Sequence, residues 1–95
     1  IHGEAVGIGM LYEADLAHFL GLCSSNVVSR QRALVCRTGL PTKFTKMRFS
    51  DLWEAMLHDK KVDRGCVYCV LPKAIGRVTV APLDQRVVKS WFMKL

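Results

Sequence analysis

No apolar run in this 95-residue chain approaches the roughly 18 residues that a membrane-spanning helix needs, which excludes a membrane span as the organising feature. The amino end has no basic leader and no small-residue cleavage pattern, so no signal peptide is expected there. Aromatic residues are only 8% of the chain and do not interleave with basic clusters, which argues against a nucleic-acid partner. No Ser/His/Asp or Cys/His arrangement stands out as a nucleophile with its base. Gly7-Ile8-Gly9 lacks the third glycine of a dinucleotide fingerprint and follows no strand, so it does not mark a Rossmann turn. There is no internal repeat, linker or low-complexity stretch, and residues 1–95 are expected to form one domain.

What is present suits a small globular unit. Hydrophobic residues make up 51% and charged residues 23%, enough apolar material for a modest core. The formal net charge of +6 favours an anionic partner, such as a phosphorylated metabolite or an acidic surface, or is simply solvated surface. Only Lys60-Lys61 and Arg30/Arg32 bring cations close together. Cys66-Val67-Tyr68-Cys69 has the spacing of a zinc knuckle, but residues three apart on a strand fall on opposite faces, and no second Cys-x-x-Cys exists. Small buried thiols in a reducing cytoplasm fit the four cysteines better.

The patterning predicts a mainly helical fold. His2 to Leu20 reads as a helix apolar around most of its circumference and therefore largely buried. Its glycines, Gly3, Gly7 and Gly9, suggest a neighbour packed close to the backbone, and Gly21 ends it. A second helix follows a Ser24/Ser25 cap, with Val27/Val28, Gln31, Leu34/Val35 and Thr38 inward and Arg30, Arg32 and Arg37 outward, stopping at Gly39-Leu40-Pro41. After a basic loop from Thr42 to Phe49, Ser50 is expected to cap a third helix whose Leu52, Trp53, Met56 and Leu57 face inward. Val62 to Gly65 reads as a turn. Cys66–Leu71 and Gly76–Ala81 read as a β-hairpin joined through Pro72–Ile75 and closed by Pro82, and Asp84 as the cap of a last helix.

Few residues could carry chemistry. His2, among small residues at the start of a buried helix, is a metal-ligand candidate as well as an ordinary core histidine. His18 cannot join it on one ion, because sixteen helical residues separate the two by about 24 Å along the axis and about 160° around it. His58, beside Asp59 and two lysines, reads as surface. Asp59-Lys60-Lys61 is either a solvated run at a helix end or an ammonium aimed at a phosphate or carboxylate. A catalytic zinc site takes three protein ligands, and this chain offers one good candidate.

His2-Gly3-Glu4-Ala5-Val6 followed by Ile8-Gly9-Met10 resembles the HGEAVxIGM motif of the 3-dehydroquinate synthase family. The resemblance continues in family order through Gly21-Leu22, Gly39-Leu40-Pro41, Asp59-Lys60-Lys61-Val62, Gly65, Val70-Leu71-Pro72 and Ala74-Ile75-Gly76. It implies the C-terminal part of a larger enzyme: a mainly α, multi-helical domain with one small β-hairpin, normally packed against an N-terminal α/β dinucleotide-binding domain. His2 matches a zinc ligand of the family, and Lys60 the lysine that contacts the substrate phosphate. Glu4 holds a motif position beside the metal ligand. The family chemistry implied is NAD- and zinc-dependent conversion of 3-deoxy-D-arabino-heptulosonate 7-phosphate to 3-dehydroquinate: transient oxidation of a ring hydroxyl, phosphate elimination, re-reduction, ring opening and an aldol closure. A homodimer is expected at full length, and this part alone is expected to be inactive. A related cyclase, such as a 2-deoxy-scyllo-inosose synthase, and a non-catalytic helical binding module are the alternatives.

Overall fold

The computed structural model describes residues 2–40, 48–59 and 61–95, with the backbone alone for 2–6, 55–59 and 61–63. The first helix, α1 (His2–Phe19), buries Ile8, Leu11, Ala14, Leu16 and Ala17 but leaves Met10 and Phe19 exposed, so less of it is covered than its all-round apolar pattern predicts. A Schellman motif ends it: Leu22 N–H reaches the Ala17 carbonyl at 2.8 Å and Gly21 N–H the His18 carbonyl at 3.0 Å. That closure needs a left-handed residue at position 21, and Gly21 supplies it at φ +77°. Helix α2 (Ser25–Arg37) packs against α1 at Gly7. A Cβ on Gly7 would stand 3.1 Å from Leu40 Cδ1, just beyond α2, and at an ordinary 3.7 Å from Val35 Cγ1, so the absence of a side chain makes room chiefly for Leu40. Gly9 has no such neighbour, and its side faces open space. Gly3 lies outside the residues whose side-chain surroundings are described.

Helix α3 (Phe49–Asp59) starts one residue before Ser50, so Ser50 is not its cap. The Arg48 carbonyl accepts from Asp51 N–H at 3.1 Å and from Leu52 N–H at 3.2 Å. Phe49, expected in the preceding loop, is buried and stacks on Trp53 with ring centroids 6.0 Å apart. Burial of that ring places the helix start, overriding the capping preference of the serine beside it.

Strands β1 (Lys61–Asp63), β2 (Cys66–Ala74) and β3 (Arg77–Leu83) form an antiparallel sheet in the order β1-β2-β3. The expected hairpin is there, longer than the pattern suggested, with a third short strand added. The turn narrows to Arg64-Gly65, both at positive φ (52° and 78°), the geometry of a two-residue type I′ hairpin loop. Pro72 was expected in a connection and instead lies within β2, past the end of β1, where no ladder on that side needs its missing N–H. Pro82 sits on β3, an edge strand, for the same reason.

Alternation on the sheet turns Val67, Cys69 and Leu71 of β2 and Ala81 and Leu83 of β3 to the core, where they meet Leu16 and Ala17 of α1. Helix α4 (Gln85–Phe92) closes this core with Val88 and Trp91. Asp84 caps it as expected, accepting from Arg86 N–H at 2.8 Å. Trp91 meets Tyr12 edge-to-face at 6.2 Å, and its indole Nε1–H donates to Asp15 Oδ2 at 2.7 Å.

Candidate functional site

His2 opens the backbone of α1, but its side chain lies outside the described residues, as do those of Glu4 and His58. Lys60 lies outside them altogether, in the single-residue gap between the end of α3 at Asp59 and the start of β1 at Lys61.

The other ionisable candidates resolve into structural roles. Because α1 runs unbroken from His2 to Phe19, His18 stays a helix length away from His2. It is exposed, with Nδ1 3.0 Å from the Cys23 carbonyl, so a Nδ1–H tautomer fastens the turn after α1. Cys66 is exposed and Cys69 buried, on opposite faces of β2 as strand alternation demands. Cys36 is also exposed, while Cys23 is half-buried, and burial pushes its thiol pKa above the ordinary value. The expectation of buried thiols thus holds for Cys69, in part for Cys23, and not for Cys36 and Cys66. Among the described residues no three His, Cys, Asp or Glu side chains gather as a metal site requires, and no helix is long and apolar enough to cross a membrane.

One concave feature was not singled out by the sequence. Between α1, α2 and the far end of the β2–β3 hairpin lies an open groove of about 770 Å³. Its apolar surface comes from Met10, Leu34, Val70 and Val78, and its charged lining from Arg30, Arg37 and Arg77 with one carboxylate, Glu13. Leu34, expected to face inward, is 63% exposed here, while its neighbour Val35 is buried. Gln31 bridges the two helices, its Nε2 donating to the Met10 carbonyl at 3.1 Å. The signal for the groove was available only as a fold-level one, since α2 ends at Arg37 and the hairpin begins only at Cys66.

These features define a mainly helical unit with a short antiparallel sheet, in which no complete catalytic constellation is assembled among the described residues. The chain belongs to the 3-dehydroquinate synthase C-terminal family, whose model matches residues 1–62. It is 48% identical over 91 residues to a 3-dehydroquinate synthase of Synechocystis sp., covering 94% of this chain and 25% of the relative. It is 38% identical over 78 residues to the Corynebacterium glutamicum protein of that name (82% and 21%) and 37% identical over 95 residues to the one from Sulfurovum sp. (99% and 27%). The chain thus spans about a quarter of the length of the curated relatives it matches.

Proposed function

We propose that residues 1–95 act as one C-terminal unit of a 3-dehydroquinate synthase, contributing one metal ligand and one phosphate contact to an active site completed by the rest of the polypeptide. The observation that carries this reading is the family match over residues 1–62, which contains both His2 and Lys60. The proposed reaction converts 3-deoxy-D-arabino-heptulosonate 7-phosphate to 3-dehydroquinate with loss of phosphate. The enzyme is proposed to act as a homodimer in the cytoplasm, a compartment that suits four free thiols.

The donor chemistry of His2 fits a divalent metal such as zinc, as one neutral imidazole of the three protein ligands a catalytic site needs. When bound, such an ion supplies a Lewis acid for a hydroxyl or carbonyl oxygen. Among the described residues no strand-to-helix glycine loop offers a seat for the nicotinamide cofactor. Gly7-Ile8-Gly9 lies inside α1 rather than in a strand-to-helix loop, so the NAD site is assigned to the remaining polypeptide. Lys60 binds the substrate phosphate as a point charge and lowers the cost of the negative charge that grows on it as it departs.

The test is product analysis on the enzyme-length polypeptide with the heptulosonate phosphate, NAD and zinc. Release of phosphate together with 3-dehydroquinate supports the reading. Release of phosphate with a different carbocycle assigns the chain to a related cyclase, and no turnover leaves only a binding role.

A further inference from the structure

Strands β2 and β3 are apolar on both faces, yet only one face is covered. The inner face carries Val67, Cys69, Leu71, Ala81 and Leu83 into the core. On the outer face Val70 pairs directly with Val80 and Pro72 with Val78. Val70, Val78 and Val80 are 52%, 67% and 62% exposed. Strands apolar on both sides belong to sheets covered on both sides, whereas a solvated face alternates to polar residues. Leu34 and Met10 extend this surface into the groove, so the patch is contiguous rather than scattered, and patches of that kind mark contact sites.

The rim tells what kind of surface covers it. Arg30, Arg37 and Arg77 are exposed and outnumber Glu13, the carboxylate that also lines the groove. A second copy seated on this face would set guanidinium against guanidinium on a chain already at net +6, a like-charge arrangement that opposes association. The groove is concave and takes an inserted segment better than a flat lipid surface. The relatives carry about three-quarters of their length outside the matched part, which provides ample chain to fill it.

We infer that the outer face of the β2–β3 hairpin, with the groove beside α2, seats an acidic amphipathic segment from the remaining polypeptide of the same enzyme. This rests on the proposed reading of the chain as part of a longer protein. Apolar side chains of that segment cover Val70, Val78 and Leu34, while its Asp or Glu residues meet Arg30, Arg37 and Arg77.

The experiment uses the enzyme-length polypeptide bearing Val78→Cys, with Val80→Cys as a second variant. Both are near-isosteric changes at exposed positions of the hairpin. N-ethylmaleimide labelling is resolved site by site by peptide mass spectrometry and referred to the rate in urea. Native labelling at least about 100-fold slower is expected at both positions. Adding Arg37→Glu and Arg77→Glu is expected to restore at least about tenfold of that rate by repelling the acidic partner. Labelling within about threefold of the urea rate overturns the inference, as does protection that vanishes on dilution (a second copy) or arises only with anionic vesicles (a membrane). Protection unmoved by the two charge reversals overturns the acidic assignment. Product analysis on the same preparation separates the two readings. Turnover with a freely labelled position 78 removes the docking surface and spares the enzyme, whereas protection without turnover does the reverse.

Discussion

The hydrogen bond from the Trp91 indole to Asp15 offers the sharpest test of how this fold is held. It joins residues 76 positions apart at 2.7 Å and is the polar tie between α4 and α1. Trp91 is 5% exposed, so its N–H has little access to water once the carboxylate is gone. A hydrogen bond to a charged acceptor contributes about 1.5–3 kcal/mol, and Asp15 is only half-buried, which places Asp15→Ala at the lower end, about 1.5–2 kcal/mol. Asp15→Asn keeps a neutral acceptor and should cost about 0.5–1 kcal/mol. Trp91→Phe loses the bond and also empties the space of the larger ring, for about 2–4 kcal/mol. The double variant should then show a coupling of about 1–2 kcal/mol. Helix α4 spans eight residues, too few to persist undocked, so detachment should register as amide exchange within it. The Val88 amide, bonded to the Asp84 carbonyl at 3.0 Å, is a suitable probe. Its exchange should accelerate about tenfold or more in Asp15→Ala, since 1.4 kcal/mol is a factor of ten. Exchange within about twofold of the parent, or a coupling below about 0.3 kcal/mol, would refute the idea that this bond docks α4.

Leu71→Ala, at a fully buried position facing α1 and α4 across the core, should destabilise by about 2–5 kcal/mol, read as a lowered melting temperature of the enzyme-length protein. Metal analysis of His2→Ala should show zinc lost together with activity; equal zinc in parent and variant would remove the ligand assignment. Lys60→Ala should keep its zinc and bind phosphorylated substrate at least about tenfold more weakly, the cost of one charge-assisted contact. Maleimide labelling near pH 8 of these residues, isolated as the 95-residue chain, should modify Cys36 and Cys66 first, Cys23 more slowly and Cys69 last. A raised pKa leaves Cys23 with less thiolate at that pH, and its rate should climb as the pH rises toward its shifted value.

Local chemistry was the legible part of this fold. Gly21 and Gly39 end their helices where the sequence puts them, and Asp84 caps α4, because each of these groups bonds to backbone within a few positions of itself. The start of α3 was not legible. Ser50 is the better cap by propensity, yet Phe49 is drawn into an aromatic cluster with Trp53 and Phe92 that forms only once α4 is docked. Leu34 fits the inner stripe of α2 by periodicity yet is exposed while Val35 is buried, since the rotation of α2 on its neighbour is a matter of two helices and not of one. The candidate site was legible as motif and not as geometry. His2 and Lys60 are 58 positions apart, and nothing in spacing or periodicity relates them; only the resemblance did.

The same distinction bears on the hairpin. Read along the chain, Val67 to Pro72 is a nearly unbroken apolar run, and such a run is ambiguous between a fully buried strand and a piece of buried helix. The register removes that ambiguity by setting Val67, Cys69 and Leu71 against the core and Val70 against Val80 on the far side. A strand so composed is at odds with solvent on its outer face, just as a lone metal-ligand candidate is at odds with a complete site. Of the two, the sheet's demand for a cover follows from side-chain alternation alone and holds whatever supplies that cover, whereas the demand for further metal ligands rests on the proposed role of His2.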